Sequence, residues 1–145
     1  MEPEDAIMAA RFGADAIVIS NHGGRQLDGA PSSIASLTDC VQASQAENSN
    51  CEVWLDSGIR SGQDVLKAIA LGAKGTMIGR SFLYGLGAYG EDGVRRTLEI
   101  IYKECDVTMA FCGHTNISTV HSDILVKGTY EHLKANQPHI TPIRW

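Results

Sequence analysis

The chain has 145 residues, 43% hydrophobic and 20% charged, which suffices for one ordinary domain with a buried core. Its formal net charge of −5 argues against general binding to nucleic acid or to a membrane surface. No apolar run approaches the ~20 residues of a membrane span, and the acidic start Met1-Glu2-Pro3-Glu4-Asp5 has no secretory-signal pattern.

In chain order, Pro3 with Glu4 and Asp5 opens a helix that stops at Gly13. Ala14–Ser20 is short, apolar and β-branched, as a buried parallel strand would be. Residues 21–31 form a loop containing Gly and Pro. Ser32 or Ser33 caps a helix with Ile34, Leu37 and Val41 on one face. Glu47–Asn50 is a polar loop, and Glu52–Leu55 a second strand that includes Trp54, read as core. Ser61 caps a helix carrying Val65, Leu66 and Ile69, which ends at Gly72. Gly75–Ile78 is a third strand. Two helical stretches follow, one around Phe82–Leu86 and one with Val94, Leu98, Ile101 and Tyr102 on one face. A last helical piece is expected over Ser118–Leu125, then a surface tail over 127–145.

An internal repeat recurs at 59 residues. Ala9-x-x-x-Gly13-Ala14 leads to Ile19-Ser20, and Ala68-x-x-x-Gly72-Ala73 leads to Ile78-Gly79. Each Gly ends a helix and each Ala begins the return to a strand, with Ser20 and Gly79 expected at the same height. Repeated βα units of this kind build a barrel or an open parallel sheet.

In either, the loops after the strand C-termini open on one face and carry the chemistry. Here those loops carry His22 and Arg25, then Arg60, then Arg80, a local positive site in an acidic chain. Asp56-Ser57-Gly58-Ile59-Arg60 and Gly79-Arg80 combine small residues, helix starts and guanidinium groups, which suits a phosphate. Tight turns with salt-bridged arginines are the bland alternative. In Ser20-Asn21-His22-Gly23-Gly24-Arg25-Gln26-Leu27-Asp28, a histidine that can act as base lies three residues from an arginine that can clamp a carboxylate. That pairing suits proton abstraction from a small carboxylic acid. Asp28 could instead order its own loop.

Cys40, Cys51, Cys105 and Cys112 form no CxxC pair and read as reduced structural thiols. His114, His121, His132 and His139 match no metal-ligand spacing, so no metal site is expected.

The segments SNHGGRQLD, DSGIRSGQDVLKAIALGAKGTMIGR and SFLYGLGAYGEDGV resemble the C-terminal part of the FMN-dependent 2-hydroxy acid dehydrogenases and oxidases, over roughly residues 1–126. The wording is most similar to that of bacterial L-lactate dehydrogenases. The resemblance implies an α/β fold: about three βα units from the C-terminal part of a (β/α)8 TIM barrel. It implies FMN as cofactor, with His22 as catalytic base and Arg25 binding the substrate carboxylate. Ser20 would touch the flavin. Asp56, Ser57, Gly58, Ile59, Arg60, Gly79 and Arg80 would hold its ribityl chain and phosphate. The substrate would be a small L-2-hydroxy acid, L-lactate first, and the electron acceptor a quinone, oxygen or a cytochrome. Full-length relatives are usually homo-oligomers. The location implied is cytoplasmic, or peripheral to the inner face of the membrane.

Family barrels run to ~250 residues or more. The family's lysine beside flavin N1, its substrate-binding tyrosines and the aspartate that orients the histidine have no counterpart here. A truncated or split gene, an incomplete gene model, or a piece of a longer chain would each explain this. The chain alone is then expected to be inactive, and the alternative is a non-catalytic half-barrel that binds phosphate or FMN weakly. A different phosphate-binding barrel, such as an FMN-dependent isomerase or a relative of IMP dehydrogenase, is disfavoured by the His22/Arg25 pair.

Overall fold

A computed structural model of the chain describes residues 1–47 and 50–126. The expected tail over 127–145 and the middle of the polar loop at 48 and 49 lie outside the described residues. The element order is α1 (Pro3–Arg11), β1 (Ala16–Ile19), α2 (Ser33–Ala46), β2 (Glu52–Leu55), α3 (Gly62–Ala70), β3 (Gly75–Thr76) and α4 (Arg80–Phe111), with short 3-10 turns at His22–Gly24, Ile117–Thr119 and Ser122–Ile124. The three strands are parallel and pair in chain order, β1 to β2 to β3.

Helices α1, α2 and α3 pack on one face of this sheet, and α4 packs on α3. Ile19, Val53 and Leu55 point into a core with Ala6 of α1, Leu37, Cys40 and Val41 of α2, and Ala68 of α3. The opposite face carries Val18, which is 46% exposed, and Trp54. Two expectations change here. Strand β1 is buried on its helix side only, and Trp54 is half-buried. The indole lies against Gly75, where a Cβ would sit 2.6 Å from its Cζ3, and its Nε1 donates to Glu52 at 2.9 Å.

The repeat is visible in hydrogen bonds. Ala14 N–H donates to Ala9 O and Ala73 N–H to Ala68 O, both at 3.0 Å, while Gly13 (φ +81) and Gly72 (φ +102) make the left-handed turn between. These are two copies of one glycine-terminated helix end. The expectation that Ser20 and Gly79 share a height is wrong. Ile19 pairs with Leu55 and Leu55 with Thr76, so the level of Ser20 is that of Met77. Positions equivalent in the repeat are offset by two residues across two strand steps. One residue per step is the stagger that a shear of eight imposes on eight strands.

Three other readings need correction. Ile34 is 38% exposed, and α2 instead buries Ser33, Leu37, Cys40, Val41 and Ser44. The two expected helical stretches are the limbs of α4, which folds back at Tyr89 (φ −144) and Gly90 (φ +59) so that Gly85 meets Gly93. Leu98 and Tyr102 are 51% and 75% exposed, and the second limb turns Gly93, Thr97, Ile101 and Cys105 inward. Finally, Ser118–Leu125 is no helix. It is two 3-10 turns separated by extended residues, with Val120, Ile124 and Leu125 against Leu66, Ala70 and Cys105.

Candidate active site

The loops after β1, β2 and β3 meet at the C-terminal end of the sheet, around a cavity of about 290 Å³ lined by Gly23, Arg25, Asp56–Arg60, Met77–Ser81 and Leu83. A larger cavity of about 660 Å³ lies at the opposite end of the strands, walled by Val41, Cys51, Glu52, Gly72 and Lys74, and none of the expected site residues lines it.

Arg25, Arg60 and Arg80 all line the smaller cavity, with Asp56 the one carboxylate among its walls. None of the three arginines is within ion-pair distance of a carboxylate among the described residues. Among the described residues these turns are therefore not held by salt-bridged arginines, and the side chains lining the cavity sum to a net charge of about +2. Arg25 and Arg80 both approach Gly23 where a side chain would stand. A Cβ there would lie 3.3 Å from Arg80 Nη2 and 3.5 Å from Arg25 Nε. Arg80 Nη2 donates to Gly23 O at 3.1 Å, and Arg25 Nε to His22 O at 3.3 Å.

The loop after β2 is fixed at its far end. Ser61 caps α3 by accepting from Asp64 N–H, and the Asp64 carboxylate accepts from the N–H groups of Ser61 and Arg60. Glu104 of α4 takes the N–H of Gly62 at 2.9 Å. Before that, the main-chain N–H groups of Gly58 and Ile59 make no hydrogen bond among the described residues, and a Cβ on Gly58 or Gly79 would meet nothing within 4 Å. Gly79 precedes α4 without a side-chain cap, so the N–H groups of the first turn, at Arg80 and Ser81, are open. Open amides, a helix start and two guanidinium groups around one hollow fit a phosphate group.

The residues of the loop after β1 are placed less closely. His22 is exposed and does not line the cavity, although its neighbour Gly23 does. Its N–H donates to Ser20 Oγ at 3.0 Å, so Ser20 supports the loop. Ile59 is 6% exposed and its side chain belongs to the core, which leaves only its main chain to face a ligand. Asp28 is exposed and makes no side-chain hydrogen bond among the described residues, so it does not order its loop. That work falls to Asn21, which the sequence did not single out. Its Oδ1 accepts from Gly24 N–H, its Nδ2 donates to Pro31 O, and its N–H donates to Ser33 Oγ. Met77, Ser81 and Leu83 were also missed. Their only signal was adjacency to Gly79-Arg80.

The family model for FMN-dependent dehydrogenases matches residues 1–127. An L-lactate dehydrogenase of Pseudomonas syringae pv. syringae (strain B728a) is 50% identical over 127 residues, 88% of this chain and 33% of that protein. An L-lactate dehydrogenase of Pectobacterium atrosepticum is 49% identical over 133 residues, 92% of this chain and 34% of that protein. Among solved structures, a mandelate oxidase variant with an FMN monooxide adduct superposes with a TM-score of 0.79 at 45% identity, over 84% of this chain and 38% of that one. A flavocytochrome b2 variant with sulfite bound gives 0.85 at 40% identity, over 97% and 36%. The chain thus spans about a third of the length of the curated relatives it matches. The three-stranded parallel sheet is part of the barrel those neighbours complete, and the chain belongs to the family of FMN-dependent dehydrogenases.

Proposed function

We propose that this chain provides the phosphate cradle and the His22/Arg25 loop of an FMN-dependent enzyme that oxidises a small L-2-hydroxy acid, L-lactate first, to the 2-oxo acid. The observation that carries the reading is the cavity where Arg60 and Arg80 lie beside open main-chain amides, with Arg25 on the same wall and no carboxylate paired to any of the three among the described residues. Asp56, Gly58, Ile59, Arg60, Gly79 and Arg80, with the main chain of Ser57, hold the ribityl chain and phosphate. When bound, FMN supplies the two-electron acceptor. Arg25 presents parallel N–H donors to the substrate carboxylate and sets its orientation. The His22 imidazole takes up the proton that leaves the substrate as its C2 is oxidised. Ser20 Oγ accepts from the His22 N–H and steadies that loop, and Ser20 would touch the flavin. The final electron acceptor is a quinone, oxygen or a cytochrome, and the setting is the cytoplasm or the inner face of the membrane. Turnover draws on barrel strands like those that the relatives carry outside the matched third, so the 145-residue chain by itself does not oxidise L-lactate.

A hybrid tests this: residues 1–127 of this chain in place of the matching third of the Pseudomonas syringae L-lactate dehydrogenase. It is expected to retain FMN and to reduce a dye with L-lactate. In it, Arg25→Lys keeps the flavin but loses turnover, because a lysine lacks the bidentate fork. Arg60→Ala or Arg80→Ala releases flavin first. A hybrid that folds and binds FMN yet acts on no 2-hydroxy acid refutes the proposal, and so does flavin loss on Arg25→Lys alone.

A further inference from the structure

Two non-glycine residues among those described have a positive φ, His22 at +57 and Ser57 at +69. They lie in different loops, and one hydrogen bond joins those loops between them. Gly23 N–H donates to Ser57 Oγ at 2.9 Å, and Ser57 Oγ–H donates to Asp56 Oδ1 at 2.6 Å. Left-handed backbone at non-glycine residues is costly and persists only where the surroundings impose it.

His22, Gly23 and Gly24 are three successive left-handed residues (φ +57, +71 and +73). The N–H of each needs an acceptor. His22 uses Ser20 Oγ and Gly24 uses Asn21, both within the same loop. Gly23 alone reaches another loop, and its acceptor is Ser57. The Ser57 hydroxyl is engaged twice, as acceptor and as donor, so it has little left to offer a ligand. Its direction is set by the Asp56 carboxylate, which can only accept.

We infer that Ser57 is a positioning residue: its hydroxyl, aimed by Asp56, fixes the Gly23 peptide and with it the posture of the His22–Arg25 loop. This rests on the function proposed above and assigns Ser57 a different task from its neighbours in the cofactor loop. The phosphate loop and the catalytic loop are thereby tied into one unit, with Arg25 donating to the His22 carbonyl on the other side of the same peptide and Arg80 holding the Gly23 carbonyl of the next one.

The test uses Ser57→Ala and Ser57→Gly in the 145-residue chain. Ser57→Ala removes the hydroxyl and keeps a side chain at positive φ, whereas Ser57→Gly also frees the backbone. Both variants are expected to move the Gly23 amide proton upfield and to speed its hydrogen exchange about tenfold, the loss of one hydrogen bond. Binding of inorganic phosphate by Ser57→Ala, which keeps the main chain of residue 57 in place, is expected to stay within about twofold of the parent chain, where Arg60→Ala weakens it. In the FMN-loaded hybrid, Ser57→Ala should lower kcat/KM for L-lactate with flavin per chain unchanged. An unmoved Gly23 amide in Ser57→Ala overturns the inference. So does phosphate binding that falls as far as in Arg60→Ala, which would make Ser57 an anion ligand. A change seen with glycine but not alanine would assign the effect to backbone freedom and likewise overturn it. If the hybrid never oxidises a hydroxy acid, the proposed function fails while the amide measurements still decide whether the clamp exists.

Discussion

Substituting Gly62 by alanine should destabilise the protein, although local propensity argues the reverse. Gly62 is the first residue of α3, at an ordinary helical φ, and in an open helix alanine would gain up to ~1 kcal/mol. In this fold a Cβ at Gly62 would sit 2.5 Å from Ile101 O and from the Glu104 carbonyl carbon, and closer still to Cys105 N. All three are main-chain atoms of α4, so no rotamer change relieves the overlap. Forcing the helices apart costs about 1–3 kcal/mol or more. It also stretches the 2.9 Å bond from Gly62 N–H to the Glu104 carboxylate, worth about 1.5–3 kcal/mol when intact, with the lower figure apt at this exposed glutamate. The net expectation is a loss of about 2–4 kcal/mol. At roughly 2–4 °C per kcal/mol for chains near this size, the melting temperature should fall by about 5–15 °C. Thermal and urea unfolding followed by circular dichroism would measure it. Gly87→Ala is the control, because it lies in α4 with nothing within 4 Å and should gain about 0.5–1 kcal/mol. A Gly62→Ala protein that melts at or above the parent temperature would refute the close approach of α3 to α4.

Ser61→Ala removes one half of the capping box that starts α3 and should cost ~1 kcal/mol in urea unfolding, while Ser32→Ala, which makes no side-chain cap bond, should cost less. Arg11 bonds both carboxylate oxygens of Glu47 at 2.8 and 3.0 Å, which holds the Glu47 carboxyl below its ordinary 4.5. A depressed carboxyl contributes stability that is present above pH 4.5 and lost as pH falls through the lowered value. Arg11→Ala should therefore be slightly less stable than the parent at neutral pH, and the two curves should converge in acid, where a constant gap would contradict the ion pair. Burial pushes the Cys40 and Cys105 thiols upward, so Cys112, which is exposed, should be labelled first by a thiol reagent, and Cys40 and Cys105 only on unfolding.

Much of the fold was legible because its signals are local. Glu52–Leu55 matches its strand residue for residue, since turn residues bound a short apolar run on both sides. Ser61 with Asp64 wrote the start of α3 plainly, and Gly13 and Gly72 wrote two helix ends. The failures were also local in origin. Ile117, Val120, Ile124 and Leu125 have helix-like spacing, but Asn116 Oδ1 captures the Ser118 N–H and His121 is extended (φ −141). Such side-chain competition for the backbone breaks a helix that apolar spacing alone suggests. Leu98 and Tyr102 drew the α4 face the wrong way because its contact with α3 is a close main-chain approach. That contact places the small Cys105 against Gly62, and the fold-back of α4 places Gly93 and Thr97 against Gly85, all residues that a hydrophobicity pattern passes over. The site was legible as a set of residue types, and Arg25, Arg60 and Arg80 do meet. The link from Ser57 to Gly23 was not legible, because it spans 34 residues and depends on two backbone conformations that the residue names disfavour.

The electrostatics then explain why the loops need such a link. Three guanidinium groups around a cavity of about 290 Å³ repel one another, and in an acidic chain they could each have found a carboxylate instead. Asp56, the one carboxylate in the walls, is engaged with the Ser57 hydroxyl, which directs that hydroxyl onto the main chain of the next loop. Arg80 and Arg25 spend one bond each on main-chain carbonyls, at Gly23 and His22, which neutralise no charge. Arg25 and Arg80 are thus positioned by dipoles, and among the described residues no carboxylate compensates their charge. An arginine held by a carboxylate would be placed as well, but it would have to exchange one charged partner for another on binding. Holding it by a carbonyl keeps the field available, and the strain stored at His22 and Ser57 is where that arrangement is maintained.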